Sequence, residues 1–217
     1  MKKEVLIILH PDFEEIEAVT PIDILRRAGL IVHIASTSND LEVQSKGGIQ
    51  IKADSLLSDH EHAIYDALVI PGGPEIFKIR DHSMIQKKIR EFHKLEKCIA
   101  CICAAPLLLL DQGLNQTFAM TCHPSVQAEF PALHPEATVR DKHIITSKGA
   151  GTAVPFALAI IKTKQEVQIE RLSRFQVRVM NKTNRAMKFN FSEAVKLSLR
   201  AISRIFNINL RSVFIIS

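Results

Sequence analysis

Cys98-Ile99-Ala100-Cys101-Ile102-Cys103-Ala104-Ala105-Pro106-Leu107-Leu108-Leu109-Leu110 changes its period in the middle. Up to Ile102 the run is short, apolar and β-compatible, the pattern of a buried strand. From Ala105 a proline opens a leucine-rich stretch that reads as a helix over residues 105–110. Cys103 therefore falls at a strand-to-helix turn. The small side chains of Cys101 and Ala105 leave room for a tight bend, the geometry that exposes a nucleophile in hydrolase elbows.

Working outward, the same alternation repeats on both sides. Residues 5–9 form an apolar strand, and the loop His10-Pro11-Asp12-Phe13 leads into a helix that ends at Gly29. In that helix Ile16, Val19, Ile22 or Asp23, and Leu25 keep a helical period, acids crowd the first turn and arginines the last. Strands are predicted at residues 30–36, 67–70 and 144–147. A hairpin over 43–51 turns at Gly47-Gly48, a helix spans 83–95, and an amphipathic helix closes the series at 152–161. Strands alternating with helices predict an α/β domain with a mostly parallel sheet covered on both faces.

Composition sets the outer limits. The chain has 217 residues, 47% of them hydrophobic, enough for one sizeable core plus an extension. No stretch of about 18 uninterrupted apolar residues occurs, and the first strand is too short for an export signal, so a cytoplasmic protein is expected. The four cysteines (98, 101, 103 and 122) form no disulfide framework, which suits a reducing compartment. The net charge of +5 is unevenly spread: residues 1–161 hold 16 Lys and Arg against 20 Asp and Glu, whereas residues 162–217 hold 12 against 3.

In an open α/β sheet, ligands bind beyond the carboxyl ends of the strands. Three predicted loops end there: the one carrying Asp12 to Glu17, the Gly72-Gly73 loop, and the turn at Cys103. A helix amino terminus after Cys103 would lower its pKa and favour the reactive thiolate. The plain alternative is a small buried hydrophobe. Cys98 and Cys101 resemble a C-x-x-C pair, but residues three apart on a strand point to opposite faces, so zinc and thioredoxin readings fail. Glu17 is flanked at four residues by Phe13 and Pro21. A carboxyl on that apolar side would have its pKa raised by burial and could give a proton to a nearby sulfur. His123, before Pro124, is a weaker acid/base candidate.

Together these residues carry a resemblance. Phe13-Glu14-Glu15-Ile16-Glu17-Ala18-Val19, Asp23-Ile24-Leu25-Arg26-Arg27-Ala28-Gly29, Val69-Ile70-Pro71-Gly72-Gly73, Ala100 to Pro106, Thr121-Cys122-His123-Pro124 and Thr146 to Ala153 stand in the order and spacing of the ThiJ/PfpI superfamily. Within it the chain resembles the branch of the parkinsonism-associated protein deglycase and its bacterial relatives. The resemblance implies a flavodoxin-like three-layer sandwich over residues 1–163, usually a homodimer. It implies Cys103 as nucleophile, Glu17 as a buried protonated carboxyl on its sulfur, and His123 as a pocket histidine. Gly72, Gly73 and Ala104 would form the oxyanion and substrate-binding backbone. The implied activity is cofactor-independent and metal-free: conversion of methylglyoxal to lactate without glutathione, deglycation of proteins, or both.

Alternatives on the same thiol are an oxidative-stress sensor or chaperone and, less favoured, a cysteine peptidase, whose active branch has a histidine directly after the elbow cysteine where this chain has Ala104. Ala150 stands where relatives often carry proline. Residues 164–217 have no counterpart in the family. Within them Lys196, Arg200, Ser203, Asn207 and Arg211 recur at helical spacing beside Val195, Leu199, Ile202 and Phe206. That basic stretch reads as a partly helical or disordered extension. The core itself is expected to bind neither nucleic acid nor membrane; for the tail the matter is open.

Overall fold

The computed structural model describes residues 2–161. The basic stretch over 164–217, and the boundary drawn at 163, lie outside the described residues. The first strand, β1 (Glu4–Leu9), is buried from Val5 onward, as a run of Val, Leu and Ile in the middle of a sheet must be. The second, β2 (Ile31–Ser36), pairs parallel to it, and β5 (Ser55–Leu56) adds a short parallel edge beyond β2. On the other side of β1 lie β6 (Ala67–Ile70), β7 (Cys98–Ile102) and β9 (Ile144–Ser147), all parallel. An antiparallel edge strand, β8 (Thr138–Asp141), completes the order β5-β2-β1-β6-β7-β9-β8. The sheet is mostly parallel and carries helices on both faces, the flavodoxin-like arrangement. The hairpin pairs β3 (Glu42–Gln44) with β4 (Gln50–Lys52) apart from the main sheet.

Helices α1 (Glu15–Arg27) and α4 (Ala153–Ile161) pack together on one face. The other face is covered by α2 (Ser83–Lys94) and the short α3 (Leu107–Leu110). On α2, Ile85, Ile89 and Phe92 are spaced by three and four residues and wholly buried, each worth about 1.5–3 kcal/mol of burial. Glu14 caps α1 by accepting from the Glu17 N–H at 2.8 Å, and Gly29, at φ +84°, follows its end.

Several expectations need correction. Ile16 and Val19 do not face the core: they are 53% and 45% exposed, and the buried stripe of α1 is Glu17, Ala18, Pro21, Ile22 and Leu25. The helix after Cys103 starts at Leu107, not Ala105, and has four residues. Helix α4, Ala-Val-Pro-Phe-Ala-Leu-Ala-Ile-Ile, is apolar all round rather than amphipathic. Strands β5 and β8 are not visible in the sequence pattern, the first because it is two residues long, the second because Arg140 and Asp141 mask its edge.

Candidate active site

The chain leaves the sheet in opposite directions after β1 and β6: α1 goes to one face and α2 to the other. Such a switch point opens a crevice at the strand ends. Cys103, one residue past β7, stands there with φ +66°, a left-handed conformation that a side chain other than glycine adopts at some strain. Two hydrogen bonds hold it: its N–H donates to the Ser147 carbonyl at 2.9 Å, and its carbonyl accepts from the His123 N–H at 2.9 Å. Both neighbouring segments thus fix the elbow, and the thiol is partly exposed.

Glu17 reaches this point from the first turn of α1 and is 1% exposed. Its Oε2 accepts from the Gly72 N–H at 2.9 Å, and its carboxyl hydrogen-bonds the Cys103 thiol. Gly72 is squeezed between the two. A Cβ built on it would lie 2.5 Å from the Cys103 Cβ, 2.6 Å from Glu17 Oε2 and 3.1 Å from Sγ. Gly73, at φ +133°, packs so closely on the loop after β1 that a Cβ would meet the Asp12 carbonyl oxygen at 2.2 Å. Gly149 borders the other side: its missing Cβ would lie 3.3 Å from the His123 ring and 3.5 Å from Glu17 Oε1. The His123 ring and the second carboxyl oxygen thus both border Gly149, and the His123 Nδ1 is 2.8 Å from the Ser125 hydroxyl.

The electrostatics differ from the sequence expectation in one respect. Burial raises the Glu17 carboxyl to about 7, against the pull of its hydrogen bonds from Cys103 and Gly72. The thiol is not lowered by a helix end. Burial, the Glu17 charge and the Glu17 hydrogen bond push Cys103 up to about 12, and only the Ala104 N–H works the other way. A four-residue helix beginning at Leu107 has too little dipole to reverse this. Two anions cannot share so dry a contact, so the pair carries one negative charge above about pH 7, and the proton between carboxyl and sulfur decides which atom bears it.

The structure thus brings Cys103, Glu17, Gly72, Gly73, Ala104 and His123 to one end of the sheet. The Gly72 N–H is spent on Glu17, whereas the Gly73 N–H has no acceptor among the described residues. Gly149 joins them from within the Thr146 to Ala153 motif; its φ of +154° and close approach to two site residues are features that no single sequence displays. Cys98, Cys101 and Cys122 are free and buried. Among the described residues, no group of three His, Cys, Asp or Glu is placed to hold a metal ion, and no helix is long and apolar enough to cross a membrane.

Comparison with known proteins supplies the family context. The model of the DJ-1/PfpI family matches residues 3–163. A Caenorhabditis elegans protein named glutathione-independent glyoxalase DJR-1.2 is 36% identical over 168 residues, covering 75% of this chain and 89% of that one. The Parkinson disease protein 7 homolog of Danio rerio is 34% identical, covering 74% and 88%. Among solved structures, oxidized Toxoplasma gondii DJ-1 superposes with a TM-score of 0.74 at 33% identity, over 81% of this chain and 98% of that one.

Proposed function

The chain belongs to the DJ-1/PfpI family, and on that premise we propose that it is a cysteine-dependent enzyme acting on reactive carbonyls, with methylglyoxal as substrate and lactate as product. The observation that carries the proposal is the buried carboxyl of Glu17 in hydrogen-bond contact with the thiol of a strained elbow cysteine. The glyoxalase name of the worm relative supports it. Glycated side chains, which present the same hemithioacetal or aminocarbinol chemistry, form the second substrate class.

The chemistry follows from the pair. With the proton on Glu17, Sγ attacks the aldehyde carbon, forming a C–S bond and an oxyanion that the Gly73 and Ala104 N–H groups receive. The hydrogen on that carbon leaves as a proton and returns at the neighbouring ketone carbon through an enediolate, with Glu17 and His123 as carriers. One carbon is oxidised and its neighbour reduced, so no external redox partner is needed. The resulting thioester is cleaved by water, which releases lactate and restores the thiol. The partner surface is a second copy of the chain: Ile16 and Val19, exposed on α1, suit an apolar contact beside the site.

The test is lactate formation from methylglyoxal without glutathione, by the full chain and by Cys103→Ser. Turnover by the protein and none by the variant is expected. Turnover surviving in Cys103→Ser would remove Cys103 as the nucleophile, and a folded protein with no turnover would remove the carbonyl reading.

A further inference from the structure

His10 follows β1 directly and is wholly buried, yet its two ring nitrogens both face carbonyl oxygens: Nδ1 lies 2.8 Å from the Pro11 oxygen and Nε2 lies 3.1 Å from the Pro71 oxygen. Carbonyls only accept. A neutral imidazole has one N–H and one lone pair, whereas the imidazolium has two N–H groups. The neutral ring can therefore hold one of these carbonyls and sets a lone pair against the other, while the protonated ring holds both. The two carbonyls belong to different loops, the one after β1 and the one after β6. The second loop carries Gly72, whose N–H holds the Glu17 carboxyl, and Gly73, which lies against Asp12 and Phe13 of the first.

We infer that His10 is a positioning residue of the site: its ring straps the loop after β1 to the loop after β6, and the number of protons on the ring sets how firmly residues 71–73 are held against Glu17. This inference rests on the reading of Cys103 and Glu17 as the reactive pair, but not on the identity of the substrate. Burial lowers the histidine from its ordinary 6.5, and the two carbonyls, then Glu75 and Asp12, oppose that. Those are the charged groups that face it: Asp12 from the loop after β1, and Glu75 from the turn after β6, where Lys78 lies 2.8 Å away and offsets part of its charge. Near neutrality the strap is thus held by a single proton for which the two loops compete. Acid adds the second proton and closes it.

Two measurements on the full chain test this. The first is the nitrogen NMR signals of the His10 ring across pH, which count its protons. The second is the rate of Cys103 alkylation by iodoacetamide over the same range, in the native protein and in His10→Gln. The glutamine amide can reach the Pro71 carbonyl but does not titrate. The native ring is expected to gain its second proton below 6.5, with an inflection in the alkylation rate at the same pH. In His10→Gln that inflection should be lost while the one from Glu17 near 7 remains. An acid inflection that persists in His10→Gln, or a ring that titrates with no matching change in Cys103 reactivity, overturns the assignment. Should the variant not fold, coincidence of the two native curves supports the strap and their separation overturns it. Absence of methylglyoxal turnover with both signatures intact would sink the proposed substrate and leave His10 standing.

Discussion

Replacing Glu17 by glutamine keeps the shape of the side chain and removes its titration. In the folded protein the carboxyl is raised by burial from 4.5 to about 7. A group whose folded value lies above its unfolded one contributes stability that is complete below the unfolded value and is lost as pH climbs through the folded value. The folded state holds the proton in that window and the unfolded chain does not. At about 1.4 kcal/mol per tenfold, the interval corresponds to about 3 kcal/mol of stability lost between pH 4.5 and about 7. The side chain is 1% exposed, so water screens little of this. Glutamine can still accept from the Gly72 N–H through its amide oxygen, and it carries no charge at any pH. Urea unfolding of the native protein and Glu17→Gln at a series of pH values is the assay. The two stabilities should coincide at pH values below 4.5, diverge through neutrality, and differ above it by about 3 kcal/mol in favour of the variant. Equal stability at all pH values, or a variant weaker in alkali, would refute the claim that Glu17 is a carboxyl ionised at a desolvation cost.

Gly72→Ala places a methyl 2.5 Å from the Cys103 Cβ and 2.6 Å from Glu17 Oε2. The backbone at this glycine needs no left-handed conformation, so the cost is steric: about 1–3 kcal/mol in urea unfolding, with a parted Glu17–Cys103 contact and a loss of turnover. Native stability and activity in that variant would show that the site has slack which its geometry denies. Peroxide titration with mass analysis should place the first oxygens on Cys103, because Cys98, Cys101 and Cys122 are at most 5% exposed. Comparable early oxidation of Cys122 would count against the elbow as the oxidant-sensitive position.

Much of this fold is legible in the sequence because its strands are short apolar runs bounded by glycine, proline or a change of period. The segments around Leu6, Val69 and Ile99 lie in the centre of a parallel sheet, where both faces are buried and nothing but apolar residues fits. Helix α1 is harder. Its apolar residues fall at two helical faces, and periodicity cannot say which one meets the sheet. The winning face is Ala18, Pro21, Ile22 and Leu25, small enough at Ala18 to let α1 approach, and Ile16 and Val19 are left outside. Glu17 is legible as an anomaly, a carboxyl between Phe13 and Pro21. His10 is not: a polar residue after a strand reads as loop, and only the carbonyl of Pro71, from 61 residues away, makes it a strap.

The acidity of Cys103 shows where local reading stops. A helix of ordinary length starting at the elbow would lower the thiol. What decides the thiol instead is burial and, after it, a carboxyl carried by α1, 86 positions earlier in the chain, brought into contact because β1 and β7 both end at the same edge of the sheet with β6 between them. Each strand contributes one piece: α1 after β1 supplies the carboxyl, the loop after β6 supplies the N–H that orients it, and the turn after β7 supplies the sulfur. The proposed nucleophile is therefore a property of three loops held in register, and its reactivity depends on where one shared proton rests. A change that moves any of the loops, at Gly72, at Glu17 or at the His10 strap, acts on that proton before it acts on the thiol itself.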